Sequence, residues 1–366
     1  MTPFATVNGE TSKSRHPWIV AKEEPIAKLN CHDAAGQAIQ VVLGARMEKM
    51  CALRDHALNW DDPEGVHDMR VASRRSRSAL SDFKPYLRKG SMPLTRLKAI
   101  AKSLGAVRDE DVVLAALEAL RSKADEEVAK GIEAIVEEHQ RRRVQARSTL
   151  ERTIRSSAIA EFRDDFQTRL RTATNIPDSA GETVANQVLT FSQVGTRIIG
   201  ARLKQLSDAG GYVYRPLQTK RLHRLRILAK RLRYAVELFA PCWGDEFEKS
   251  AAEIARFQTS LGKLHDCDIW IANLGARLKK ESGAGLDPWQ NNEAAVWLLR
   301  HFAGERTKHY CRALARWHKW ETEGFLDRLK AMLDAGFTPE SELPELPQEP
   351  EEHPEEPPVK LNVTEV

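Results

Sequence analysis

With 366 residues, 42% of them apolar, the chain can bury one large core or two, and its composition excludes a wholly disordered polymer. There is no run of about 18 uncharged apolar residues, and the opening M-T-P-F-A-T-V-N-G-E lacks the basic-then-apolar layout of a signal peptide. A cytoplasmic protein with no membrane partner is therefore expected. The net charge of +4 hides a split: Glu340 to Val366 hold nine Glu against one Lys, leaving 55 basic against 43 acidic residues in the first 339. A body this basic favours polyanionic partners.

In chain order, residues 1–30 read as a polar, unpatterned arm. Apolar spacing predicts a helix over 33–58. Asp62-Pro63-Glu64 supplies an N-cap, a first-turn proline and an early acid, so a second helix should start there and run to Pro85 or Gly90. Further helices are predicted over 93–103, 110–122, 126–156 and 158–172. N-I-P-D-S-A-G-E (175–182) separates this part, repeat 1 (31–175), from a second helical half, repeat 2 (183–335). Strand and hairpin signals are nearly absent, so the expected fold class is all-α, with two helical bundles. The last segment, 336–366, is too rich in Pro and Glu to fold alone and reads as a disordered acidic tail. Cys31, Cys51, Cys242, Cys267 and Cys311 are odd in number and form no C-x-x-C pair, which suggests neither a disulfide framework nor a zinc site. Buried or idle thiols are expected.

The two halves share a pattern. L-H-R-L-R-I-L-A-K-R-L-R-Y-A-V (222–236) aligns without gaps on V-H-D-M-R-V-A-S-R-R-S-R-S-A-L (66–80), 156 residues earlier. His67 matches His223, Arg70 matches Arg226, Arg74 matches Lys230, Arg75 matches Arg231 and Arg77 matches Arg233. L-G-A-V-R-D-E-D-V-V (104–113) likewise matches L-G-K-L-H-D-C-D-I-W (261–270). An internal duplication folded about a pseudo-two-fold axis is expected.

At about 100° per residue, His67, Arg70, Arg74 and Arg77 fall on one stripe roughly 80° wide, as do His223, Arg226, Lys230 and Arg233. The apolar arc (Leu222, Leu225, Leu228, Leu232, Val236 and Phe239, with Met69, Ala72, Leu80 and Phe83 in the first copy) lies beside the stripe. A solvated face would sit opposite the core and mix Glu with Lys. These stripes contain no Glu, so like charges crowd at i,i+3 and i,i+4, and an anion would relieve them. Arg suits phosphate because its planar fork binds two oxygens.

Asp109/Asp111 and Asp266/Asp268 form D-x-D pairs, read as helix caps or arginine partners in preference to a metal site. Tyr234 should pack and Glu237 should pair with Arg233 one turn away. Arg141-Arg142-Arg143 has no counterpart in the other half and reads as a solvated face.

These motifs resemble the CHAD family, the conserved histidine α-helical domain, over about residues 31–335. V-H-D-M-R-V-A-S-R-R-S-R is similar to its first signature and L-H-R-L-R-I-L-A-K-R-L-R-Y-A-V-E to its second. The resemblance implies paired helical bundles around a central basic groove. It also implies binding of inorganic polyphosphate and, in some members, association with polyphosphate granules. By position it assigns ligand contact to His67, Arg70, Arg74 and Arg77 with His223, Arg226, Lys230 and Arg233, flanked by Arg75 and Arg231. Arg108 becomes His265 in the second copy, which puts that position's role in doubt. No E-x-E-x-K triphosphatase motif precedes the first helix, so no attached phosphatase is expected.

The reading is a non-enzymatic polyphosphate binder with no metal or cofactor. Nucleic acid is the competing polyanion, although the stripes lack aromatic platforms. A metal-dependent phosphohydrolase is the weaker alternative, resting on His32-Asp33, His67-Asp68 and His265-Asp266; the second copy replaces Asp68 with Arg224, the reverse of what a metal site needs.

Overall fold

A computed structural model of the chain describes residues 26–27, 29–174, 189–283 and 293–335. The expected acidic tail, nearly all of the N-terminal arm and the separating stretch 175–182 lie outside the described residues. Among the described residues there are eleven α-helices and no strand, so the fold is all-α. They are α1 (Ala35–Ala52), α2 (Arg54–Ala57), α3 (Pro63–Phe83), α4 (Leu94–Arg121), α5 (Glu126–Thr153), α6 (Ser156–Thr174), α7 (Phe191–Asp208), α8 (Thr219–Phe239), α9 (Asp245–Gly283), α10 (Glu293–Glu323) and α11 (Phe325–Ala335).

The start of α3 follows from its sequence. The Glu64 N–H donates to the Asp62 carboxylate at 3.0 Å, and Pro63 takes the first helical position, where its missing N–H costs nothing. Its end follows too, because Pro85 sits in a 3₁₀ turn over Lys84–Tyr86. The apolar arcs of α3 and α8 are buried throughout, from Met69 to Phe83 and from Leu222 to Phe239.

One expectation fails in this half. The helices predicted over 93–103 and 110–122 are a single uninterrupted helix, α4. The Leu104-Gly105 pair reads as a break in sequence, but Leu104 and Val107 are fully buried and packing holds Gly105 helical.

Helix packing follows one order in both halves. α1 packs on α3, α3 on α4, α4 on α5, and α6 returns to α1; α7 packs on α8, α8 on α9, α9 on α10, and α11 returns to α7. The bounds of α7 and α8 lie 156 residues beyond those of α1 and α3, as do those of the 3₁₀ turn Ala240–Cys242 beyond Lys84–Tyr86. Contacts between the halves join α1 to α7, α3 to α8 and α5 to α10. At the junction the Phe83 and Phe239 rings meet edge to face, with centroids 6.2 Å apart, and Phe191 packs on both.

The main core runs through both halves around this junction. A second apolar cluster lies along the far parts of α4, α5, α9 and α10, built from residues such as Leu117, Ile132, Leu274 and Leu298. Close to it, Glu110 of α4 and His139 of α5 form a buried pair at 2.6 Å, so the polar groups there are mutually satisfied.

The cysteines require a correction. Cys31 and Cys242 form a disulfide, with Cα atoms 5.5 Å apart and a sequence separation of 211. Counting cysteines cannot find this bond, because a pair so distant leaves no spacing pattern. Backbone hydrogen bonds bring the segment before α1 against the start of α7 (Phe191 N–H to Asp33 C=O at 2.9 Å, Ser192 N–H to Cys31 C=O at 3.0 Å), next to the end of α8. Cys51 and Cys267 are buried thiols, as expected, and burial pushes them up to about 11 and about 12.

Because the disulfide closes so long a loop, removing it should lower stability by about 2–5 kcal/mol. Calorimetry of Cys31→Ser, and of the native chain with and without reductant, measures this as a fall in the unfolding midpoint. An unchanged midpoint in both would mean that the bond does not restrain the fold.

Candidate functional site

The paired signatures form α3 and α8, which pack against each other across the junction. His67, Arg70, Arg74 and Arg77 are half-buried on α3, and His223, Arg226, Lys230 and Arg231 are half-buried on α8. Arg75 and Arg233 differ, at 6% and 2% exposed. Eight of the ten predicted residues therefore retain some accessible surface, and two are interior.

The two interior arginines meet at one carboxylate. Glu237 of α8 lies 3.6 Å from Arg75 of α3 and 3.5 Å from Arg233 one turn back on its own helix. The Arg233 guanidinium also stacks 4.6 Å from the Tyr234 ring centroid. Arg75 and Arg233 therefore serve the junction between the helices. The position matching Glu237 in the first half is Ser81, and Arg77 is half-buried where Arg233 is interior.

Asp82 of α3 plays the reciprocal part. Arg202 of α7 donates to its Oδ1 through Nε at 3.0 Å and Nη2 at 2.8 Å. Burial pushes the Asp82 carboxyl up, and Arg202, Arg46 and Arg231 pull against that shift. Arg46 also donates to the Arg75 carbonyl at 3.0 Å. Arg46 and Arg202 are themselves 156 residues apart, on α1 and α7.

Arg70 explains the glycine of the L-G element. Its Nη2 pairs with Asp109 of α4 at 3.3 Å, and its Nη1 would lie only 2.4 Å from a Cβ at position 105. Gly105 is the notch that lets this guanidinium lie across α4. Two further D-x-D residues are arginine partners: Asp111 with Arg143 and Arg147 at 3.7 and 3.9 Å, and Asp268 with Arg306 at 2.6 Å. Of Arg141-Arg142-Arg143 only Arg141 is exposed; the other two are half-buried against acids, which departs from the solvated face expected.

The two histidines have protonatable or cationic neighbours from the same downstream element. His223 Nδ1 lies 3.2 Å from His265 Nδ1, with ring centroids 4.0 Å apart. That hydrogen bond needs one donor and one acceptor, so both rings cannot be charged while it exists. Burial pushes the His67 pKa down, and the Arg108 guanidinium lowers it further. Arg108 and His265 therefore belong to the site, although the mismatch between them hid this in sequence. The signal was their shared place, one residue before Asp109 and Asp266.

A family model for the CHAD domain matches residues 41–275. Among solved structures, the crystal structure of the CHAD domain from the plant Ricinus communis is similar to this chain, with a TM-score of 0.61 and 21% identity, over 80% of this chain and 95% of that one. No curated protein matches the chain.

Glu237→Gln removes the charge between two buried guanidiniums and should destabilise the fold by about 3 kcal/mol or more. Urea unfolding of this variant measures that loss. Wild-type stability would mean that the carboxylate does not hold the junction.

Proposed function

The chain belongs to the CHAD family, and on that premise we propose that it binds inorganic polyphosphate, gripping one chain between the basic stripes of α3 and α8 without turning it over. The observation that carries this reading is the packing of the two stripe-bearing helices on each other, with Glu237 between them and half-buried cations along both. The family is associated with polyphosphate. Direct contact falls to His67, Arg70, Arg74, Arg77, His223, Arg226, Lys230 and Arg231, while Arg75 and Arg233 act from behind by fixing the two helices.

A stripe of ten residues spans roughly 15 Å, which suits an extended polyanion better than one phosphate. We also read the halves as copies related by a pseudo-two-fold axis, supported by their common packing order and by the Phe83–Phe239 contact. A non-catalytic role fits the engagement of Asp109, Asp111 and Asp268 with arginines, which uses the carboxylates a magnesium-dependent phosphohydrolase would need. Association with cytoplasmic polyphosphate granules belongs to the same reading. In that reducing compartment the Cys31–Cys242 bond would tend to open, leaving packing and the buried ion pairs to hold the junction.

Affinity for long polyphosphate should fall steeply with salt, as counterions compete for the cations. Titration at low and high salt, on wild type and on Arg74→Ala/Lys230→Ala, should show tenfold or greater weakening, about that size from the variant alone. Binding indifferent to both salt and substitution would refute the proposal. Transfer RNA as a competitor reports whether the site prefers polyphosphate or any polyanion.

The histidines add a proton term. The His67 pKa lies below its ordinary 6.5, and a phosphate beside it would raise that value, so the complex holds the proton more tightly than the empty site. Affinity should therefore rise as pH falls through the raised pKa of the complex and level off once pH drops below the lowered pKa of the empty site. His67→Gln should flatten part of this profile, whereas an unaltered profile would place the proton uptake elsewhere.

A further inference from the structure

The two helices differ sharply at one end. Residues 53–80, leading into and along α3, contain five acids: Asp55, Asp61, Asp62, Glu64 and Asp68. The matching stretch 209–236, leading into and along α8, contains none and holds eight Lys or Arg. At the helix starts the substitution is direct, since Lys220 stands where the first half has Glu64 and Arg224 where it has Asp68.

The structure puts these cations on the surface. Every residue from Tyr214 to Arg221 is exposed, as is Arg224, so Arg215, Lys220, Arg221 and Arg224 form one basic patch with Leu217, 87% exposed, at its edge. The patch is held in place. Arg306, anchored on Asp268, donates to the Pro216 carbonyl at 2.7 Å, Tyr310 donates to the Val213 carbonyl at 3.0 Å, and Arg221 lies over the Tyr212 ring. Glu321 accepts from the Tyr214 hydroxyl at the start of this loop.

The patch also runs on from the stripe. Lys220 lies one turn before His223 and Arg224 two turns before Arg231, so their side chains are neighbours along the α8 surface. Cations at the start of a helix meet the positive end of its dipole, an unfavourable placement that an anion reverses. α3 avoids this with Asp62 and Glu64, whereas α8 has no side-chain cap and no acid in its first turn.

We propose that Arg215, Lys220, Arg221 and Arg224 form an extension of the phosphate track, so that a polyphosphate chain longer than the stripes overhangs the site at the α8 end and not at the α3 end. This rests on the polyphosphate reading and deepens it: the two halves grip alike, but the site has a direction and favours long chains. A single exposed leucine gives little purchase on a bilayer, so a continuing polyanion suits the patch better than a membrane surface.

The test installs the first half's residues in the second, as Lys220→Glu/Arg224→Asp, with Arg74→Ala/Lys230→Ala as the variant for the stripes themselves. Polyphosphates of about ten and about one hundred phosphates are titrated against each, with thermal unfolding to check the fold. The swap should weaken the long chain roughly tenfold and flatten its salt dependence, while changing the short chain far less. The stripe variant should weaken both lengths. The reverse swap, Glu64→Lys/Asp68→Arg, should strengthen long-chain binding by opening the other end. A swap that weakens both lengths equally, or neither, overturns the extension while leaving the stripes as the site. Failure of the wild type to bind either length overturns the polyphosphate reading and the extension with it. Loss of binding to phosphatidylserine vesicles with polyphosphate affinity intact would assign the patch to lipid and also overturn the proposal.

Discussion

The packing of the two halves turns on two carboxylates set between cationic helices, Asp82 buried and Glu237 half-buried. α3 and α8 each carry a row of basic residues, and packing them side by side would be repulsive without anions in the seam. Glu237 lies between Arg75 and Arg233, and Asp82 is held by Arg202 with Arg46 and Arg231 near by. Both acids bridge the halves, one from α8 toward α3 and the other from α3 toward α7 and α8. A buried ion pair adds little net stability compared with apolar packing, but breaking one is costly. The seam thus fixes the position of one stripe relative to the other, which is what a site made of two helices requires.

Given that seam, the arginines divide their work by angle and by neighbour. Those facing the junction are consumed in it, and those turned away from it line the stripes. Arg70 is intermediate, lying in the Gly105 notch against Asp109 at 15% side-chain exposure. Such an arginine is oriented before any ligand arrives, so less side-chain entropy is lost on binding. The same logic makes the L-G-x-x-R-D element of the first half part of the site: Gly105 admits Arg70, Asp109 pairs with it, and Arg108 stands close enough to His67 to lower its pKa.

Much of this was legible in the sequence because it depends on local periodicity. The start of α3 at Pro63, the buried arc through Phe83 and Phe239, the stripe and the pairing of Glu237 with Arg233 all follow from positions along one helix. What was hidden depends on contacts between distant segments. Helical angle puts Arg77 and Arg233 in equivalent places, yet only Arg233 is drawn inward, by Glu237 and Tyr234. The continuity of α4 through Gly105 was hidden because a glycine kept for a close approach looks in sequence like a glycine that ends a helix. The Cys31–Cys242 bond joins residues brought together only by the pairing of the segment before α1 with the start of α7.

The histidines show why a cationic site would not use arginine throughout. A permanent charge at position 67 would add to Arg74 and Arg108 in the empty site, where burial already opposes charge. Burial favours the neutral imidazole there, so that repulsion is absent, and under the proposed function a phosphate would draw a proton onto the ring. His223 and His265 extend the idea, since their shared hydrogen bond survives only while one nitrogen lacks its proton. Packing around these histidines is thus relieved of a charge it would otherwise have to hold.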